Sequence, residues 1–247
     1  MGYERAILSG DVMEYYHYKN PKCMMPWEIA ARREIGEKKK RKVVPLEEKI
    51  EKRVENMGAT KKKVRRLIDC NKTPDDVFLT LTFGENVQDI SGANYEFKKF
   101  RQRLEYRLDK KLRYVVVIEF QERGAVHYHA YLFGVGFVDW QEYERAWGHG
   151  FIRVNHIDRP AGAGVYVTAY MTKDIATDAR LMGRKCYFSS RGLVKPRMID
   201  EDQAEFQAVK ENLGLLDVTQ AEGGCACELN SNHVGEYFYA RGTVYND

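Results

Sequence analysis

The stretch that most constrains how this chain can fold runs from Tyr114 to Gly134. An apolar run, Val115 to Phe120, is followed by Arg123-Gly124 and then by His127-Tyr128-His129. Side chains alternate across a strand, so histidines two residues apart leave the backbone on one face. Two strand-like runs separated by a short glycine-bearing segment predict a β-hairpin. With Arg123, Gly124 and Ala125 as the loop, Glu119 stands opposite His129 and Gln121 opposite His127. A two-residue loop would set Glu119 against Tyr128 instead. An odd loop count or a bulge, with Gly124 at positive φ, is therefore needed to bring an oxygen donor onto the histidine face. Two imidazoles and a carboxylate so placed suit a divalent cation, with Glu119 the expected third ligand and Gln121 in reserve. Two satisfied histidines without a metal are the plain alternative.

A chain of 247 residues can bury a substantial core. Nothing in it approaches a membrane span or a signal peptide, and the expected location is cytoplasmic. Five cysteines, Cys23, Cys70, Cys186, Cys225 and Cys227, have no repeating spacing and predict reduced thiols. Cys225-Ala226-Cys227 near His233 lacks the second pair that a zinc site requires. Charge is informative through its distribution. Between Arg32 and Arg66 stand 15 Lys/Arg against 6 Asp/Glu, while the rest of the chain carries 25 against 30. A cationic segment joined to a mildly acidic remainder suits contact with a polyanion, although a solvated helix face has the same composition.

Residues 1–31 carry few signals. Helix is expected from Trp27 to about Lys42, again from Leu46 to Met57 where Gly58 ends it, and from Thr60 to about Asp69. The last of these bears Lys61, Lys62, Lys63, Arg65 and Arg66, the expected DNA-contacting cluster, so residues 1–70 read as an outlying basic helical appendage. Val77 to Phe83 is β-branched and aromatic and predicts the first core strand. Asn94 is placed to cap a helix to about Lys111, with Phe97, Phe100, Leu104 and Leu108 as its apolar stripe. A short helix over Val138 to Trp147, a strand over Phe151 to Val154 and a helix over Val165 to Asp174 follow. Trp140 and Trp147 suit core packing better than base stacking. Beyond Asp178, a strand near Cys186 to Ser190, a helix over Glu201 to Leu213 and a strand over Glu236 to Tyr245 are expected. The sum is an α+β protein: a central antiparallel sheet with helices mainly on one face, an appendage over 1–70, a core over 71–180 and an extension over 181–247.

On a continuous helix from Val165, Tyr166, Tyr170 and Lys173 fall at i, i+4 and i+7 and share one face. Tyrosines at this spacing are ordinarily half-buried core residues. Beside a metal hairpin they acquire another use, because a phenol is a nucleophile once a cation lowers the cost of its deprotonation.

Three segments in order, Phe78-Leu79-Thr80-Leu81-Thr82, Gly124-Ala125-Val126-His127-Tyr128-His129 and Tyr166 through Lys173-Asp174, resemble the motifs of rolling-circle replication initiators. These are the His-hydrophobe-His (HUH) endonucleases of small plasmids and single-stranded DNA phages. The resemblance spans about Val77 to Asp178. It implies a five-stranded antiparallel sheet with the histidines on a central strand and the tyrosine helix beside it. It makes His127 and His129 metal ligands; the third ligand varies within the family, so Glu119 rests on the strand pairing, and the donor set suits Mn²⁺ or Mg²⁺. It makes Tyr170 the nucleophile, Tyr166 a second tyrosine of the two-tyrosine members, and Lys173 a neighbour of the phosphate or the phenolate. The implied reaction nicks single-stranded DNA at an origin, leaves a 5′-phosphotyrosine and a free 3′-OH primer, and later rejoins strand ends. Single-stranded or hairpin origin DNA, a host helicase and a polymerase are the implied partners, with no membrane. A relaxase or single-strand transposase of the same superfamily is the nearest rival, and motif order disfavours the relaxase. From another class, a non-catalytic nucleic-acid-binding module would give Tyr170 and Lys173 no reason to align.

Overall fold

The computed structural model describes residues 3–18, 45–157, 162–199, 204–213, 227–231 and 235–243. The helix expected from Trp27 to Lys42, together with Cys23, Cys225 and His233, lies outside the described residues. The chain divides into two compact units, Val44–Val194 and a second drawn from Met1–Val43 and Lys195–Asp247.

In the second unit, β1 (Tyr3–Ser9) and β2 (Val12–Tyr18) form a hairpin closed at Ser9 and Val12, with Gly10 at φ 65° in the two-residue turn. Gly10-Asp11 between two seven-residue strands is the signal that reveals this hairpin, in a stretch that otherwise reads as featureless. The unit also holds β8 (Arg197–Ile199), α6 (Ala204–Asn212), β9 (Cys227–Ser231) and β10 (Gly235–Thr243). Its sheet runs β8-β1-β2-β10-β9 with every pair antiparallel. Phe206 and Val209 of α6 pack with Ala6, Met13, Tyr15 and Ile199 in a small core. The N-terminal and C-terminal segments, read from sequence as an appendage and an extension, thus share one sheet.

The larger unit begins with α1 (Leu46–Asp69), which is continuous through Gly58. A glycine inside a helix costs only about 1 kcal/mol, too little to end one whose Met57, Val64 and Ile68 are buried in the main core. The segment expected to stand apart is therefore part of that core. There follow β3 (Val77–Thr82), α2 (Ile90–Leu108), β4 (Arg113–Phe120), β5 (Val126–Phe133), α3 (Trp140–Trp147) and β6 (Ile152–His156). After these come α4 (Ala163–Ala169), α5 (Lys173–Thr177), a 3₁₀ turn over Ala179–Leu181 and β7 (Tyr187–Ser189). The sheet order is β6-β3-β5-β4-β7, all antiparallel, with the histidine strand β5 third of five.

Asp89, not Asn94, caps α2, its carboxylate accepting from the backbone N–H groups of Ser91 and Gly92 at 3.0 and 2.8 Å. Those two amides hold the Asp89 carboxyl below its ordinary pKa. Asn94 lies one turn inside, where Oδ1 accepts from the Tyr128 hydroxyl at 2.8 Å. Phe97, Phe100 and Leu104 are buried on the sheet face that carries Tyr128, the middle residue of the histidine motif. The opposite face carries the histidines and meets α4, and α1 packs against α4 and α5. Helices thus lie on both faces of the histidine strand, α2 on the Tyr128 side and α4 on the other. Gly164 permits the α1–α4 approach, since a Cβ there would fall 2.9 Å from the Arg65 carbonyl oxygen.

Candidate metal and tyrosine site

The hairpin turn meets the parity requirement in a different register. Glu119 pairs with His127, not His129, and Val117 pairs with His129. Gln121 N–H donates to the Ala125 carbonyl at 2.9 Å, leaving Glu122, Arg123 and Gly124 as the loop, with Gly124 at φ 84°. The loop count is still odd, so Glu119 keeps the histidine face while the pairing slides by one position on each strand. Anchors around the turn fix this register. Arg180 Nη1 donates to the Gly124 carbonyl at 2.7 Å, Arg123 Nη1 to the Gly84 carbonyl at 2.9 Å, and Val126 N–H to the Val87 carbonyl at 2.8 Å. The Arg180 guanidinium also lies 3.7 Å above the Phe120 ring. Each anchor comes from a residue distant in sequence, so the register is beyond the reach of local pattern.

Glu119, His127 and His129 offer ligand atoms that all lie within 4.8 Å of one another. Glu119 Oε2 is 2.6 Å from His129 Nε2, a diagonal contact that the slipped register allows. On the other flank, Thr82 Oγ1 is 3.1 Å from His127 Nε2 and Thr80 Oγ1 is 3.5 Å from His129 Nδ1. Burial, reinforced by the neighbouring His129, lowers the His127 pKa to about 4, against the weaker opposing pull of Glu119. A neutral imidazole is the form that binds a metal, and His127 is neutral throughout the ordinary pH range. Two imidazoles and one carboxylate on one sheet face thus fit a divalent cation by donor type and by spacing. Gln121, the reserve donor, accepts from Arg123 Nε at 3.0 Å.

The tyrosine segment departs from expectation. The helix stops at Ala169, Tyr170 is its C-cap, and Thr172 is extended with ψ 172° before α5 begins at Lys173. Met171 and Ile175, on either side of the break, are both buried. Tyr166 and Tyr170 keep their i, i+4 relation, and the Tyr170 hydroxyl donates to that of Tyr166 at 3.1 Å. Lys173, exposed on the next helix, leaves the shared line. Tyr170 stacks on His129 with ring centroids 3.6 Å apart, and Phe78 beneath them contacts both rings. Burial and then the bond to Tyr166 push the Tyr170 phenol up to about 12, while Arg153 acts in the opposite sense.

Arg153 is the residue the sequence did not reveal. It pairs with Thr80, which pairs in turn with His129, so all three side chains share one face. The β3–β6 pairing sets its position. Trp147 is fully buried and its indole N–H donates to the Thr82 carbonyl at 3.0 Å, whereas Trp140 is 53% exposed and departs from the expected core role. Of the expected DNA contacts, Lys63 is exposed, while Lys61, Lys62, Arg65 and Arg66 are half-buried on α1.

This arrangement of hairpin and tyrosine helix falls within the segment marked by the family comparison. Residues 76–175 match the family model described as Replication-associated protein ORF2/G2P. The match is consistent with a rolling-circle replication initiator and covers all three motifs. No curated protein and no solved structure significantly matches the chain. The described helices include none long and apolar enough to cross a membrane.

Proposed function

We propose that this replication-associated chain nicks and rejoins single-stranded DNA at an origin through a covalent tyrosyl-DNA intermediate. The observation that carries the reading is the stacking of Tyr170 on His129 at 3.6 Å, which joins a phenol to the Glu119-His127-His129 cluster. A divalent cation held by those three residues, Mn²⁺ or Mg²⁺, would supply charge to a phosphate oxygen and ease phenol deprotonation. Tyr170 Oη attacks phosphorus, an O–P bond forms, the P–O3′ bond breaks, and the departing 3′ oxygen takes a proton. The Tyr170 hydroxyl donates to the Tyr166 hydroxyl, 3.1 Å away, a bond that favours the protonated phenol, and the proton is lost to solvent water as the O–P bond forms. Arg153, on the same face, favours the phenolate. Lys173 serves a DNA phosphate, and Tyr166 is the second tyrosine for a later strand exchange. The cations of α1, Lys61, Lys62, Lys63, Arg65 and Arg66, add salt-dependent affinity for the origin.

The test uses single-stranded oligonucleotides labelled at the 3′ end, incubated with Mn²⁺ and resolved on a denaturing gel. A label that travels with the protein is expected, absent in Tyr170→Phe and in EDTA. Persistence of the adduct in Tyr170→Phe would move the nucleophile to Tyr166.

A further inference from the structure

Two grooves adjoin at the edge strand β7. One, of about 920 Å³, lies between α2 and β7; the other, of about 600 Å³, lies between α1 and the segment leading into β7. Arg184, Lys185 and Tyr187 line both. Six Lys/Arg residues line each groove, and the only carboxylate in either lining is Glu105. That carboxylate is already engaged by Arg101 at 2.7 Å and by the Leu112 amide at 3.1 Å. Exposed Lys98 and Arg191 in the first groove, Lys49 and Lys63 in the second and Lys185 between them have no ion pair among the described residues. Four of the second groove's cations, Lys49, Lys52, Arg53 and Lys63, belong to the basic Arg32–Arg66 segment, whereas all six of the first groove lie outside it, where the chain is net acidic and composition alone does not supply such a ratio.

From this juxtaposition we infer that the two grooves form one continuous track for a single strand of DNA, passing over Arg184–Tyr187 from the α1 side of β7 to its α2 side. Unpaired cations along a concave path match a phosphate repeat. The path turns around a sheet edge, which a flexible single strand follows and a duplex, stiff over about 150 base pairs, does not. Such a track requires no chemistry at the histidines.

The experiment measures affinity of the full chain for a fluorescent single-stranded 30-mer across a salt series. Removing three phosphate contacts in Lys98→Ala/Lys185→Ala/Arg191→Ala should reduce the slope of log K against log salt by about 2, at roughly 0.7 per contact. The charge-retaining Lys98→Arg/Lys185→Arg/Arg191→Lys variant should restore it. An unchanged slope would overturn the track, as would an equal loss in Lys99→Ala/Arg107→Ala/Arg145→Ala, which removes the same charge from elsewhere on α2 and α3. A slope change confined to a hairpin duplex probe would overturn the single-strand assignment. A chain that shows the expected slopes yet forms no adduct would refute the proposed nicking and leave the track standing.

Discussion

At the scale of single residues, the candidate site depends on which oxygen donor completes the histidine pair. Glu119 lies 2.6 Å from His129, whereas Gln121 is drawn to Arg123 and is uncharged. Glu119→Ala should therefore weaken Mn²⁺ binding by tenfold or more, about 1.4 kcal/mol, and Gln121→Ala by much less. Titration calorimetry reads the ranking, and the opposite order would name Gln121 as the ligand. His127 gives a second expectation, with chelator present. Its folded-state pKa of about 4 lies below the ordinary 6.5, so the unfolded chain binds more protons between these values. Its contribution to stability is present above about pH 6.5 and is lost as pH falls towards 4. Urea midpoints for the wild type and His127→Asn should converge or cross over that window, and a constant difference would show that the imidazole is not desolvated.

At the scale of elements, one glycine within α1 and one packed against it behave differently. Gly58 sits in the helix interior, where an added Cβ would have nothing within 4 Å, and Gly164 sits where a Cβ would meet the Arg65 side chain at 2.8 Å and its carbonyl oxygen at 2.9 Å. Gly58→Ala should stabilise by roughly 0.5–1 kcal/mol through helix propensity. Gly164→Ala should cost about 1–3 kcal/mol by forcing α4 away from α1, and should slow nicking because α4 carries Tyr166 and ends on Tyr170. Urea denaturation checks both, and stabilisation by Gly164→Ala would mean that the helices separate without cost. Local pattern misplaces the α1 boundary because glycine is a weak helix breaker once tertiary burial is added. It misplaces the α4 boundary because buried Val167, Met171 and Ile175 keep a four-residue spacing across the break, so the pattern reads as one continuous helix although Thr172 is extended.

At the scale of the molecule, α1 belongs with the histidine sheet, and residues 1–43 fall in the same unit as residues 195–247. Removing residues 1–70 should therefore do more than weaken DNA binding. It strips Met57, Val64 and Ile68 from the main core, and each buried aliphatic side chain contributes about 1.5–3 kcal/mol. A chain of residues 44–194, in contrast, should fold cooperatively and retain Mn²⁺ binding. Circular dichroism melts of the two truncations test this, and a cooperative melt of a 71–247 chain would make α1 dispensable.

The sequence by itself determined the alternation that puts His127 and His129 on one face, the odd loop that Glu119 needs, the apolar stripe of α2 and the i, i+4 tyrosines. These rest on local periodicity, which backbone geometry imposes wherever a strand or helix forms. The tertiary structure alone decided the two-residue slip that makes Glu119 a diagonal partner of His129, the placement of Arg153 beside Thr80, and the stacking of Tyr170 on His129. Each of those depends on contacts between segments far apart in the chain, where pairing and core packing select one register among several that the local pattern permits equally well.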